Sequence, residues 1–462
     1  MKELHTLSAC EAVAQLERGT VTVGQLLDCL RARIEIVEPV INALPTLCFE
    51  RAYEQAELLQ SRPPEKRGRL CGLPVTIKDL TPVAGVRTTF GSLVFKDFIA
   101  PASDQLVSRI ERDGGIVYAK SNTPEFGAGG ITFNEVFEST RSPHNTAFSS
   151  GGSSGGAAAS LAAGCAWLSQ GSDMAGSLRT PAAFCGVTSL RPSPGTIRSD
   201  NKYLPFQVLG EDGPMARNMA DLALFSDVMR GDVRDTLQDS VYQAGLQERP
   251  LQGVKIASST TLGITEVDGE ISAAFSQFER FVASQGNSLT NCQPDLSGVH
   301  EAFDVLRAEI FAVGLEELIE AHQSVIKPEV LWNVQQGLQL SSSQKRQALR
   351  LQGQIVNRAA EFMQEYDVLM CPATSCGSVE SGLRYPGENA GVAIPEYYRW
   401  LAIAYATTMT ALPVITLPVA TLANGMPFAV QMVGKPYGES DLFRIARQLE
   451  ILVDRNTDPV DP

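Results

Sequence analysis

Three residue types at three places in this chain could together activate a hydroxyl: Lys78 in "GLPVTIKDL", Ser153 in "FSSGGSSGGAAASLAAG" (148–164) and Ser177 in "QGSDMAGSLRTPAAFCG" (170–186). A Lys in an apolar stretch is usually a surface residue whose stem lies along apolar neighbours while its amine reaches water. If Lys78 is buried instead, desolvation depresses its pKa, and a neutral amine is a competent base for a hydroxyl. Two small-residue loops and one buried Lys would then make a hydrolase that needs no His. The 148–164 run admits other readings. Gly/Ser stretches often serve as flexible linkers, but this one leads directly into "AAASLAAGCAWL", a helix former with side chains small enough for close packing. It lacks the Lys-Ser/Thr ending of a Walker loop and does not match GxGxxG after a clear strand, so a phosphate cradle is poorly supported. "GGSSG" (151–155) formally satisfies G-x-S-x-G with Ser153 as nucleophile. That route requires a downstream acid and a His, and His300 and His322 lie in polar helical sequence that reads as surface.

The elements that must position these residues follow from the periodicity. Residues 8 to 62 carry helical apolar spacing, as in Val23, Leu26, Leu27 and Leu30, with Thr22 as a cap. From 71 onward, short β-branched runs ("GLPVTIKD", "GGIVYAKS", "GVTSLRPS") alternate with helical stretches such as "DQLVSRIERDG". The pattern repeats as "VKIASS" and a helix over 268–285, followed by a Gln-rich helical stretch over 300–365. It ends with strand-like "YDVLMCPAT" and "MPFAVQMVG" and the helix "ESDLFRIARQLEILVD". This alternation is an α/β pattern. With no internal repeat and no polar linker, one large domain is expected: a helical region 1–65, a catalytic core 66–232, an insertion or variable substrate region 233–400, and a core-completing segment 401–462.

Composition narrows the function. The 462 residues are 44% hydrophobic and 19% charged, which suits a soluble globular protein with a large core. The formal net charge is −14 and no Lys/Arg cluster stands out, which argues against nucleic acid or an anionic membrane as the main partner. The amino terminus has no uninterrupted apolar core of a secretory signal, and "LAIAYATTMTALPVITLPVA" (401–420), with four Thr and two Pro, reads as buried core, not as a membrane span. Nine scattered Cys without a CxxC pair fit reduced thiols in the cytoplasm. Cys371 and Cys376 have no second pair with which to complete a metal site.

Taken together and in order, "GLPVTIKD", "GGSSGG" and "GSDMAGSLR" resemble the amidase signature family, with 75 residues from Lys78 to Ser153 and 24 from Ser153 to Ser177. The likeness extends through "GVRTTFGS", "AKSNTPEFGAGG", "TRSPHNT", "FCGVTSLRPSPG", "GPMARNMADLALFSDVM", "ALPVITLPVA" and "MPFAVQMVGKPYGESDLF".

The resemblance implies a central mixed β-sheet flanked by helices on both faces. It implies a Ser-Ser-Lys triad with Ser177 as nucleophile, Lys78 as base and Ser153 as the bridging serine, preceded by a cis Gly152–Ser153 peptide. Met174, Ala175, Gly176 and Ser177 match the oxyanion stretch, with Ala175 where the family more commonly has Gly. Ser154 is expected to hydrogen-bond Lys78, Asp173 and Arg179 to brace the nucleophile loop, and Gly127 to leave room for the acyl group. The implied activity is hydrolysis of a small carboxamide through an acyl-enzyme, without metal or organic cofactor. Two alternatives stand beside it: the glutaminase subunit of a tRNA-dependent amidotransferase, and a silent binding protein of the same fold. That amidotransferase branch usually reads "GTDTGGSIRQPA" where this chain has "GSDMAGSLRTPA". The acyl pocket is expected to draw on 200–210, 300–345 and 377–400, and a homodimer is the commonest soluble assembly.

Overall fold

The computed structural model describes residues 3–200, 202–230, 241–246, 251 and 253–462, so the boundary expected at 232–233 falls outside the described residues. Eleven strands form the principal sheet: β1 (Thr46–Leu47), β2 (Pro74–Lys78), β3 (Ile116–Ser121), β4 (Leu168–Asp173), β5 (Thr188–Arg191), β6 (Glu211–Ala216), β7 (Ile256–Ser258), β8 (Leu289–Asn291), β9 (Val368–Pro372), β10 (Val414–Thr421) and β11 (Pro427–Val433). Their order across the sheet is β1-β3-β2-β4-β6-β5-β10-β11-β9-β7-β8.

The sheet is mixed. β2 runs parallel to β3 and β4, and β7 runs parallel to β8 and β9. Between them, each successive pair in the order β4-β6-β5-β10-β11-β9 is antiparallel. Every residue of β2, β3, β5, β6 and β9 is buried. A strand buried on both faces must be covered by other elements on both sides, and the polar residues these strands carry, such as Arg191 and Asp212, must then find partners inside the protein. This is a single large α/β domain with a mixed central sheet, as the sequence implies.

The helical amino-terminal region resolves into Ala9–Glu17, Val23–Ile41 and Phe49–Gln60. Thr22 caps the second of these, its Oγ1 accepting from Gln25 N at 3.2 Å in a capping box. The stretch over 300–365 is three helices, Val299–His322, Pro328–Leu338 and Ser342–Glu365. The segment read as an insertion supplies β7, β8 and β9, and the carboxyl-terminal hairpin β10–β11 joins these strands to the amino-terminal half of the sheet. Residues 401–420 are core: the helix Ala402–Met409 is wholly buried and β10 is buried through Val419.

The 148–164 run enters the buried helix Gly155–Ala162. A Cβ at Gly156 would come within 2.3 Å of Asn122 N, so the backbone can approach β3 this closely only without a side chain. The small residues therefore serve close packing, and that packing fixes the turn bearing Ser153 and Ser154.

Candidate active site

Lys78 is the last residue of β2, and its side chain is completely buried. Its Nζ lies 2.7 Å from Ser153 Oγ, 2.9 Å from Ser154 Oγ and 3.1 Å from Ser172 Oγ. The Gly152–Ser153 peptide is cis. Ser154 ties the two loops together, donating its N–H to the carbonyl of Ser177 at 3.1 Å. Burial pulls the Lys78 ammonium down to about 7, against an upward pull from Asp212 and Asp173.

The hydrogen-bond directions around this amine are constrained. Ser154 Oγ donates to the Ser172 carbonyl at 3.3 Å, so toward Lys78 it can only accept. The Ser172 carbonyl, 3.5 Å from Nζ, also only accepts. A neutral amine has two N–H donors and one lone pair. With the donors aimed at Ser154 and Ser172, the lone pair is left for the proton of Ser153.

Lys120 on the neighbouring strand provides a contrast. It is equally buried but forms an ion pair with Asp79 at 3.1 Å and bonds Thr88 Oγ1 at 2.9 Å. Among the described residues, no carboxylate lies within ion-pair distance of Lys78. One buried Lys has a counter-charge beside it, whereas the other has only neutral partners within hydrogen-bond reach.

Ser177 sits in the loop between β4 and the helix Arg179–Cys185, 8% exposed. Asp173 organises this loop from its amino-terminal side, its carboxylate accepting the Gly176 N–H at 3.1 Å and the Leu178 N–H at 3.0 Å. Arg179 grips the same carboxylate at 2.7 and 3.0 Å, and Arg191 lies 3.4 Å from it while donating to the Asp173 carbonyl at 2.5 Å. Burial alone would raise the Asp173 carboxyl, but the two guanidiniums overcome this and hold it well below the usual carboxylate range. Arg179 also donates to the Ala404 carbonyl, Gln431 Oε1 and Thr408 Oγ1, each at 2.7 Å. The loop bearing Ser177 is thereby pinned to the helix Ala402–Met409 and to β11.

Of the oxyanion stretch, Gly176 spends its N–H on Asp173. Its φ of +108° and a would-be Cβ only 2.6 Å from Ala404 Cβ explain the glycine. Ala175 lies outside the left-handed region, so its methyl group is compatible with the loop. Gly127 has φ +70°, and a Cβ there would meet Leu80 Cδ1 at 3.0 Å and Ser153 Oγ at 3.5 Å. Gly127→Ala is expected to lower kcat/KM about ten-fold or more, as steady-state kinetics would reveal, because a side chain is strained at φ +70° and pushes on Leu80, shifting the cavity wall beside Ser153, and small displacements in a substrate site have costs of this order.

Ser153, Ser177, Gly127, Met174 and Ala175 line one cavity of about 180 Å³. Its walls are largely apolar, with Leu80, Phe90, Phe126, Phe311 and Leu401 among them. Lining residues come from all three segments expected to shape the pocket: Tyr203, Leu204 and Gln207; Arg307, Ile310 and Leu315; and Tyr398. His300 is not a free surface residue: it is half-buried, with Nδ1 2.5 Å from the Tyr405 hydroxyl and Nε2 2.9 Å from the Ile264 carbonyl. A hydrogen bond to a carbonyl fixes Nε2 as the donor, so its role is structural. His322 is exposed. All nine Cys are unpaired, and no cluster of three or more metal-ligating side chains occurs among the described residues. No helix among these residues is long and apolar enough to cross a membrane.

Several participants carry no clear mark in the sequence. Ser172 touches Lys78 Nζ, Gln170 Oε1 accepts the Lys78 N–H at 3.0 Å, and Gln170 Nε2 donates to Asp212 at 2.7 Å. Arg191 completes the clamp on Asp173. For Arg191 the available signal is an Arg within the β-branched run "GVTSLRPS", since a charge in a buried strand requires a partner.

The domain is a mixed-sheet α/β fold in which Ser153, bonded to the buried Lys78, faces a largely apolar cavity. The amidase family model matches residues 25–443, and the chain belongs to the amidase family. It is 31% identical to an acylamidase of Rhodococcus erythropolis, covering 97% of this chain and 96% of that protein. It is 29% identical to a glutamyl-tRNA(Gln) amidotransferase subunit of Anaeromyxobacter dehalogenans, over 97% and 96% of the two chains. In fold it superposes on a bacterial aryl acylamidase of the amidase signature enzymes with a TM-score of 0.89 at 24% identity, covering 97% of this chain and 96% of the other. The protein is thus an amidase-family enzyme, a hydrolase acting on amides.

Proposed function

We propose that the enzyme cleaves a linear carboxamide through an acyl-enzyme on Ser177, with Lys78 as the base acting through Ser153. The observation that carries this reading is the fully buried Lys78 amine, 2.7 Å from Ser153 Oγ and lowered to about 7, beside a cavity that Ser153 shares with Ser177. Neutral Lys78 takes the Ser153 proton as Ser153 takes that of Ser177, and Ser177 Oγ attacks the amide carbon. The N–H groups of Met174, Ala175 and Ser177 are the donors assigned to the oxyanion, since that of Gly176 is committed to Asp173. The proton then returns along the same path to the leaving nitrogen. Ammonia or an amine departs, and water, activated by the same relay, releases the acid. Ser154 holds the amine in register, and Asp173 with Arg179 holds the loop.

Release of ammonia or amine from a panel of aliphatic, aromatic and dicarboxylic amides plus glutamine tests the reading. Turnover of simple amides supports it. Likeness to an amidotransferase component favours one competing reading, a glutaminase that passes ammonia to a partner, and activity on glutamine alone would favour that alternative.

The pH profile is a second test. Activity requires the unprotonated amine, whose population grows as pH rises through its pKa. kcat/KM should therefore climb along an ascending limb centred near 7 and level off above it. An ascending limb at the ordinary carboxylate range, with none near 7, would assign the base elsewhere.

A further inference from the structure

We infer that Arg307 forms an anion subsite in the cavity, so that the acyl portion of the substrate carries a carboxylate; this rests on the hydrolase reading above. Arg307 is 4% exposed and lies on the helix Val299–His322. With Ile310 and Phe311, one turn further along, it lines the cavity wall.

The other charges lining the cavity are already satisfied within the protein. Lys202 pairs with Glu211 at 2.7 Å, and Asp173 is clamped by Arg179 and Arg191. Asp212 accepts from Gln170, and burial raises its carboxyl to about 6. Arg307 differs: among the described residues its hydrogen bonds go to two neutral acceptors, Asn333 Oδ1 and the Tyr397 hydroxyl. These use two of the five N–H donors of a guanidinium. Its remaining neighbours are aromatic faces, with Tyr398, Phe311 and Tyr397 centred 4.2, 4.9 and 5.1 Å from Cζ.

A buried cation without a counter-charge is costly, and rings and neutral acceptors compensate it only in part. In a cavity that receives substrate, a carboxylate from the substrate would supply the missing charge, and the planar fork can hold it through paired hydrogen bonds. The asparagine, tyrosine and rings hold the fork in a fixed orientation. The substrate class that fits is the monoamide of a dicarboxylic acid.

The test compares kcat/KM for glutaric acid monoanilide and for its neutral methyl ester, in wild type, R307K and R307M, alongside calorimetric binding of glutarate to S177A and to S177A/R307M. The wild type should favour the anionic anilide by at least about ten-fold, as expected where a polar group built to meet a partner is otherwise left unpaired. R307M should erase that preference, R307K should keep part of it, and glutarate should bind S177A but not S177A/R307M. Equal use of the two anilides by wild type, or an equal loss on both in R307M, would overturn the subsite. If neither anilide is cleaved, the hydrolase reading fails on its own terms, whereas Arg307-dependent glutarate binding would still support the subsite.

Discussion

Ser177→Ala is expected to lower kcat/KM for amide hydrolysis by on the order of 10⁴-fold or more, the scale on which loss of a covalent nucleophile is felt in serine hydrolases. Removing one hydroxyl from a residue at the cavity surface should change stability by no more than about 1 kcal/mol. Lys78→Met should reproduce most of the kinetic loss. It nearly conserves the volume of the buried side chain, so its effect reports the missing amine and not a cavity. Because the two groups act as one unit, the double variant should be scarcely worse than either single variant. Single-turnover kinetics on the three proteins, with denaturation midpoints as the control, checks this. Substantial turnover by Lys78→Met would remove Lys78 from the mechanism and leave Ser153 without its base.

Arg179→Met is expected to destabilise the fold by about 3–5 kcal/mol and to abolish activity with it. Breaking a buried pair leaves the surviving charge uncompensated, and that cost exceeds the net benefit of forming the pair. The remaining charged partner of Asp173 would be Arg191 at 3.4 Å, and the Ala404 carbonyl, Thr408 Oγ1 and Gln431 Oε1 would each lose a charged donor. Urea unfolding followed by tryptophan fluorescence measures the effect, and a loss under about 1 kcal/mol would contradict the structural role assigned to the clamp. The same clamp predicts tolerance to acid. A carboxylate held below its ordinary pKa contributes stability that is fully present above that ordinary value, and loses it only as pH falls toward the depressed one.

Much of this site is legible in the sequence because short stretches encode local structure that the fold then assembles. Lys78, Ser153 and Ser177 each sit at an element boundary: the end of β2, the turn into the helix Gly155–Ala162, and the loop after β4. Parallel pairing of β2 with β4, Thr76 opposite Ser169, brings positions remote in sequence to one end of the sheet. Periodicity yields the strands and helices but not this pairing, which is why spacing alone leaves Ser153 open to a nucleophile-elbow reading.

What stays hidden is the partnership of single charges. Lys78 and Lys120 both lie in apolar strands and look alike in sequence; the difference is that Asp79 reaches only one of them. Arg307 in "FDVLRAEIF" reads as an ordinary helical charge, because its burial depends on helix packing over Val299–His322 and Pro328–Leu338 and on Tyr397 and Tyr398. His300 reads as surface for the same reason, since Tyr405 and Ile264 reach it only in the folded chain.

The most direct measurement of the central claim is the intact mass of the enzyme, acid-quenched during turnover of a slowly deacylated amide, followed by peptide mapping of the adduct. The account predicts a mass increase equal to the acyl group, on the peptide containing Ser177, absent from Ser177→Ala and strongly reduced in Lys78→Met. An adduct on Ser153 instead, or steady turnover with no acyl-enzyme in a substrate whose deacylation is demonstrably slow, would contradict it.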